Sequence, residues 1–292
     1  MADRDADMPA APEVLHLTPG VVLTLCPKPG SFTGVVTMVA ARGDTVLVID
    51  TGLSEHMPTA LLPALDALGA EVSDITAIAS THGHGDHTGG GPGLHRLSGA
   101  PIHFCADDVE LAGYQPHVDL RDGHAFDLGG LRFEVLATPG HTLGSLSFYI
   151  PERQLLIVGD AVQGTGSVRR LPAYYQSGIQ YRASLRRMLD LPVDTLVLGH
   201  PLTSKAVHSY VFRGPACRQL LTDSLEAATV IEAATHAVHR RAHDKEPRAL
   251  REGILAELVT HAPFTSFDPT APVEHDTELT LHSELRDLGY LI

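Results

Sequence analysis

Short apolar blocks separated by turn residues fill the first two thirds of the chain, and helical spacing takes over in the last third. Residues 21–26, 34–41 and 45–50 are rich in Val and Ile and have strand length. The Arg42-Gly43-Asp44 link between the last two is short enough for a hairpin. Leu61, Leu62, Leu65 and Leu68 recur at helical spacing within 58–68, and Gly69 supplies the C-cap. Strand blocks follow at 75–79, 101–105, 131–136, 145–150, 154–158 and 195–198, with helical spacing over 183–189. Many connections are of hairpin length, so the pattern predicts an α/β fold on antiparallel or mixed sheets and not a doubly wound parallel one.

After about residue 213 the pattern changes. Residues 217–241 contain no Gly or Pro, and Leu220, Leu221, Leu225, Ala228, Ile231 and Ala234 form a helical stripe. Further helices are expected over 248–259 and 277–288. Three units follow: a flexible, acidic N-terminal arm (1–13), an α/β body (14–212) and a C-terminal helical module (213–292).

The strongest chemical signal lies just after the 75–79 block. His82, His84, Asp86 and His87 are four metal-ligating side chains within six residues, interleaved with Gly83 and Gly85. Alternate residues of an extended segment point the same way, so His82 and His84 can share one ion. The chain must then curl to carry Asp86 and His87 to a second point. Four ligands cannot complete two shells, and three later strand blocks each run out at a Gly followed by His or Asp: Gly140-His141, Gly159-Asp160 and Gly199-His200.

Composition sharpens this picture. Histidine is abundant, 18 of 292 residues, which puts metal chemistry first among the options. A net charge of −14 argues against nucleic-acid or anionic-membrane partners. Cys26, Cys105 and Cys217 lie far apart, so neither a disulfide framework nor a thiolate zinc site is expected. The N-terminus lacks the apolar core of a secretory signal, and no apolar stretch is long enough to span a bilayer, so a cytoplasmic protein is expected. His236, His239, His243, His261, His275 and His282 in the C-terminal module read as surface or packing residues.

The His82–His87 run, followed in order by His141, Asp160 and His200, closely resembles the metallo-β-lactamase superfamily over about residues 20–205. Asp50-Thr51-Gly52 matches that family's early Asp motif. The resemblance implies an αβ/βα sandwich with the metals at one edge of two facing sheets. It implies that His82, His84 and His141 hold one metal, that Asp86, His87 and His200 hold a second, and that Asp160 bridges them. The ions would be two divalent metals, with Zn²⁺ favoured by the ligand set and Fe or Mn open. Asp50 would accept from a ligand imidazole N–H, and Asp86 would also serve catalysis by taking the nucleophile's proton.

The implied function is a dinuclear metal hydrolase whose metal-bound hydroxide attacks a thioester, ester or lactone of a small metabolite. A di-iron redox enzyme on the same fold and a non-catalytic metal-binding scaffold are the alternatives. Gln163 departs from the family's lactonases, which place a Tyr three residues after the bridging Asp. Arg169, Arg170, Tyr174 and Tyr175 are candidate substrate contacts. Homo-oligomerisation through the C-terminal helices is open.

Overall fold

Two mixed sheets organise the body of the protein. The computed structural model describes residues 14–27, 35–164, 173–201, 210–242, 246–262, 264 and 275–290; the expected arm 1–13 and the candidates Arg169 and Arg170 lie outside them. The first half of the chain supplies β1 (Val14–Thr18), β2 (Val21–Pro27), β3 (Val35–Arg42), β4 (Val46–Ile49), α1 (Leu62–Ala67), β5 (Ile75–Ala79), α2 (Gly85–Thr88), α3 (Gly91–Ser98), β6 (Ile102–Phe104), α4 (Val109–Ala112) and β7 (Val118–Asp119). Its seven strands pair in chain order, antiparallel from β1 to β4 and parallel from β4 to β7.

The second half supplies β8 (Ala125–Asp127), β9 (Arg132–Ala137), β10 (Leu146–Ile150), β11 (Leu155–Gly159), α5 (Gly178–Leu189), β12 (Thr195–Leu198) and β13 (Val211–Arg213). These strands form a six-stranded sheet, ordered β13-β12-β11-β10-β9-β8, in which only β11 and β12 are parallel. Three helices complete the fold: α6 (Pro215–Ala242), α7 (Pro247–Leu258) and α8 (His275–Asp287).

Burial explains why the central strands read as unbroken apolar runs. Leu47 and Ile49 of β4 share one core with Phe133, Val135 and Phe148 of the opposite sheet. Val46 and Val48, on the other face of β4, pack with Leu65 of α1 and Leu94 of α3. Both faces are covered, so no polar alternation is needed. The stripe of α6 (Leu220, Leu221, Ala228, Ile231, Ala234) joins the main core. The fold is therefore the expected α/β sandwich with an added helical layer.

Several elements differ from the pattern-based expectation. The helix expected over 58–68 is divided: a π-helical turn, Met57–Leu61, precedes α1. Pro58 and Pro63 each remove a backbone donor there. The helix α5 starts at Gly178, earlier than residue 183, with the Ser177 side chain accepting from the Gln180 N–H. Cys26, Cys105 and Cys217 are buried free thiols. Two of the C-terminal histidines are packing residues: His239 stacks on Tyr290 at 3.5 Å between ring centroids, and His236 Nδ1 lies 2.5 Å from the Tyr290 hydroxyl.

Candidate metal centre

Four strand ends deliver the candidate ligands to one place, and a fifth brings Asp50 beside them. Asp50 follows β4, the His82–His87 run follows β5, His141 lies between β9 and β10, Asp160 follows β11 and His200 follows β12. After His84, in extended conformation, the backbone turns into α2, which redirects Asp86 and His87. Gly83 is required by close approach: a Cβ there would sit 2.5 Å from Cβ of Asp108.

The seven side chains converge in two groups joined by Asp160. His82 Nε2 lies 2.9 Å from His84 Nδ1, which lies 3.1 Å from His141 Nε2. Asp160 Oδ2 is 3.4 Å from His141 Nε2 and 3.5 Å from His200 Nε2, and Asp160 Oδ1 is 3.6 Å from His87 Nε2. His200 Nε2 is also 3.5 Å from Asp86 Oδ2. Donor atoms of His82, His84 and His141, of His82, His87 and Asp160, and of Asp86, His87 and His200 form groups within 4.8 Å.

These residues fit divalent metal ions. Nitrogen ligands about 2.0–2.1 Å from one zinc ion stand about 3.3 Å apart in a tetrahedral shell, close to the spacings around His84. The opposed atoms His87 Nε2 and Asp160 Oδ1 are buried without a hydrogen-bond partner, a costly state that a cation between them relieves. His82 Nε2, His84 Nδ1 and His141 Nε2 converge at 2.9 and 3.1 Å, a spacing a shared cation would also impose.

Electrostatics favour the same reading. Burial, reinforced by the neighbouring imidazoles, holds His82 well below the ordinary histidine range. Burial outweighs the pull of Asp160 at His84 and at His141, which falls to about 4. At His87 burial is overcome by Asp50 and Asp160, which push it up to about 9. His200 is raised despite burial by Asp160 and Asp86. Burial likewise opposes ionisation of Asp86 and Asp160, but histidine neighbours hold both below the usual carboxylate range. The group of His82, His84 and His141 thus offers three neutral imidazoles beside ionised carboxylates, a donor set suited to a cation, whereas His87 and His200 must give up a proton before either can ligate one.

Outer contacts fix the ring orientations. His87 Nδ1–H donates to Asp50 at 2.9 Å, and Asp50 also accepts from the Thr81 N–H at 2.8 Å and the Thr81 hydroxyl at 2.9 Å. Thr81 Oγ1 in turn lies 3.1 Å from His82 Nδ1, so one carboxylate steadies histidines of both groups. Asp108 accepts from Gly83 N–H at 2.8 Å, Thr142 Oγ1 at 2.6 Å and Gly144 N–H at 2.9 Å, tying the His84 loop to the His141 loop. Nothing in the acidic run around Asp108 marks it for this task in the sequence.

The four expected substrate contacts fare differently. The Tyr174 ring packs on two candidate ligands, with centroids 6.1 Å from His84 and 5.0 Å from His141. Tyr175 requires correction. It is fully buried, stacked on Tyr181, and its hydroxyl donates to Glu284 at 2.6 Å, so it has no surface to offer a substrate. Arg169 and Arg170 fall outside the described residues.

Behind Tyr174, α8 grips residues 173–177. Thr280 Oγ1 donates to the Ala173 carbonyl at 2.9 Å and Arg286 to the Gln176 carbonyl at 2.5 Å, while Ser177 Oγ bonds Asp287 at 2.7 Å. Arg182 of α5 completes the grip with bonds of 2.6 Å to Glu284 and 2.9 Å to Glu232. Glu284 sits against Gly178, where any side chain would collide with it.

Comparison with known proteins agrees with this architecture. The model of the metallo-beta-lactamase superfamily matches residues 30–200, and the chain belongs to that superfamily. The lactamase-like protein vrtG of Penicillium aethiopicum is 33% identical over 65% of this chain and 60% of its own length. An atrochrysone carboxyl ACP thioesterase of Claviceps purpurea is 33% identical over 63% of this chain and 57% of its own. The chain thus matches less than two thirds of these relatives' lengths. A metallo-beta-lactamase family protein from Thermus thermophilus has a similar structure, with a TM-score of 0.66 at 20% identity over 94% of this chain and 95% of that one. At that identity the likeness is one of fold.

Proposed function

We propose that this chain is a metal-dependent hydrolase, with a thioester, ester or lactone of a small metabolite as substrate and a thioester as first choice. The observation that carries the reading is the convergence of the seven side chains around buried, unbonded donor atoms. The thioesterase name of two relatives supports the choice of thioester. In this reading His82, His84 and His141 would hold one ion, Asp86, His87 and His200 a second, and Asp160 both. Two divalent ions would supply a water acidified toward a pKa of about 7 and a Lewis acid for the carbonyl oxygen.

The chain's own residues set the approach and the proton path. Asp86 and His200 are the exposed edge of the cluster, with side chains 25% and 24% accessible, whereas His82 and His87 are sealed at 1% and 0%. Substrate therefore reaches the site past Asp86. Its carboxylate, at the open edge of the cluster, is the group placed to accept a proton during attack. Tyr174 packs on the opposite flank, against His84 and His141.

Purified protein is expected to hold close to two transition-metal ions per chain, and chelation should abolish hydrolysis across a panel of thioesters, lactones and β-lactams. Zinc in a colourless protein supports the hydrolase; iron with a visible absorption band would favour redox chemistry. Protein that retains no metal and hydrolyses nothing in the panel would refute the reading.

Asp50 offers a narrower test. Its backbone is left-handed, φ 57°, which Asn tolerates, so Asp50→Asn isolates the carboxylate that His87 and Thr81 address. Metal affinity is expected to fall by about 10–100-fold in a chelator competition titration. Wild-type affinity would show that His87 is oriented without it.

A further inference from the structure

The residue three positions after Asp160 does more than depart from a family pattern. The Gln163 carboxamide reaches three segments at once. Its Nε2 donates to the Asp160 carbonyl at 3.0 Å and to the Tyr174 carbonyl at 2.8 Å, and its Oε1 accepts from the Tyr174 N–H at 3.0 Å. Nε2 also lies 3.0 Å from His141 Nδ1, which is itself 3.0 Å from the Tyr174 carbonyl.

The protons available to this cluster limit how it can be bonded. The amide has two hydrogens, and two carbonyls take them. The Tyr174 carbonyl has two lone pairs; one accepts from Gln163 and the other faces His141 Nδ1. A bare Nδ1 could accept from Gln163 Nε2 only by taking a hydrogen from one of the two carbonyls, and would still set its lone pair against the Tyr174 oxygen, so every group is satisfied only when His141 carries its proton on Nδ1. The Nε2 lone pair is then left pointing at His84 and Asp160.

We propose that Gln163 is a positioning residue of the metal centre, acting through Tyr174 to hold His141 as the Nδ1–H tautomer with Nε2 turned to the first metal group. The proposal rests on reading His82, His84 and His141 as a metal-binding group. It assigns Gln163 a role separate from substrate contact: the carboxamide joins the end of β11, the His141 loop and the Tyr174 segment into one unit. Neither a Glu nor an apolar side chain could do this, because neither can donate to two carbonyls. The backbone N–H of residue 163 donates to the Tyr181 hydroxyl at 3.2 Å, an anchor that survives any substitution here except proline.

The test compares Gln163→Met, which keeps the volume without the polar groups, with Gln163→Glu, which keeps an acceptor beside His141 Nδ1. Zinc and cobalt affinities are measured by competition titration, and the His141 tautomer by nitrogen-15 NMR of histidine-labelled, metal-free protein, its signals assigned by loss in His141→Gln. Gln163→Met is expected to weaken metal binding by about 10–100-fold and to leave His141 in a mixture of tautomers. Gln163→Glu is expected to retain the Nδ1–H form, since its carboxylate accepts that proton, while still weakening metal binding. Wild-type affinity and an unchanged His141 spectrum in Gln163→Met would overturn the role of Gln163 alone. A wild-type protein that binds neither zinc nor cobalt would overturn the metal-site reading and this role with it.

Discussion

Asp86→Asn is expected to lower kcat by about 10²–10⁴-fold, the usual contribution of a positioned general acid or base, with the fold intact. The side chain stands at the exposed edge of the cluster, 3.5 Å from His200 Nε2, so no core packing is lost. Asn retains an oxygen that can ligate but cannot accept a full proton. Kinetics at saturating metal, with metal content measured in parallel, separate the two duties: lost turnover at full occupancy marks the proton acceptor, and lost occupancy marks the ligand. Near wild-type kcat would exclude Asp86 from proton transfer.

Glu284→Ala is expected to destabilise the fold by about 3–5 kcal/mol, because it strands a buried guanidinium. Arg182 and Glu284 are almost wholly buried and bonded at 2.6 Å, and Tyr175 loses its acceptor as well. The loss should lie toward the low end, since Arg182 keeps Glu232 at 2.9 Å on its more open side. Urea unfolding gives the comparison, with Arg182→Leu combined with Glu284→Leu as the control. Removing both partners for apolar groups should recover much of the loss. A single variant as stable as wild type would show that the pair adds nothing to the fold.

Much of the body was legible because its signals are local. Val46–Ile49 and Leu155–Gly159 are buried throughout, and each delivers a residue of the candidate site immediately after it, Asp50 and Asp160. The His82–His87 run carries its own spacing, and the stripe of α6 its own period. What stayed hidden depends on contacts far apart in the chain. Asp108 reaches Gly83 across 25 positions, and Tyr175 and Arg182 reach Glu284 across 109 and 102. Such partners leave no mark on local pattern, which is why Tyr175 reads as a loop aromatic when it is a core residue. Short edge strands such as β7 and β13 were invisible for the same reason, since only their neighbours make them strands. Helix α3 was masked by its Gly91-Pro92-Gly93 opening, which has the composition of a turn.

The grip of α8 on residues 173–177 has a consequence for how the protein is made. From His200 to His275, where α8 begins, is 75 residues. At ribosomal rates of about 5–20 residues per second, roughly 4–15 s separate the synthesis of the last candidate ligand from that of the first residue of its clamp. For that interval the nascent chain holds every candidate ligand, yet α8 is not there to grip the segment packed on His141. On the proposed reading, metal capture during translation and metal retention afterwards would therefore depend on different parts of the same polypeptide.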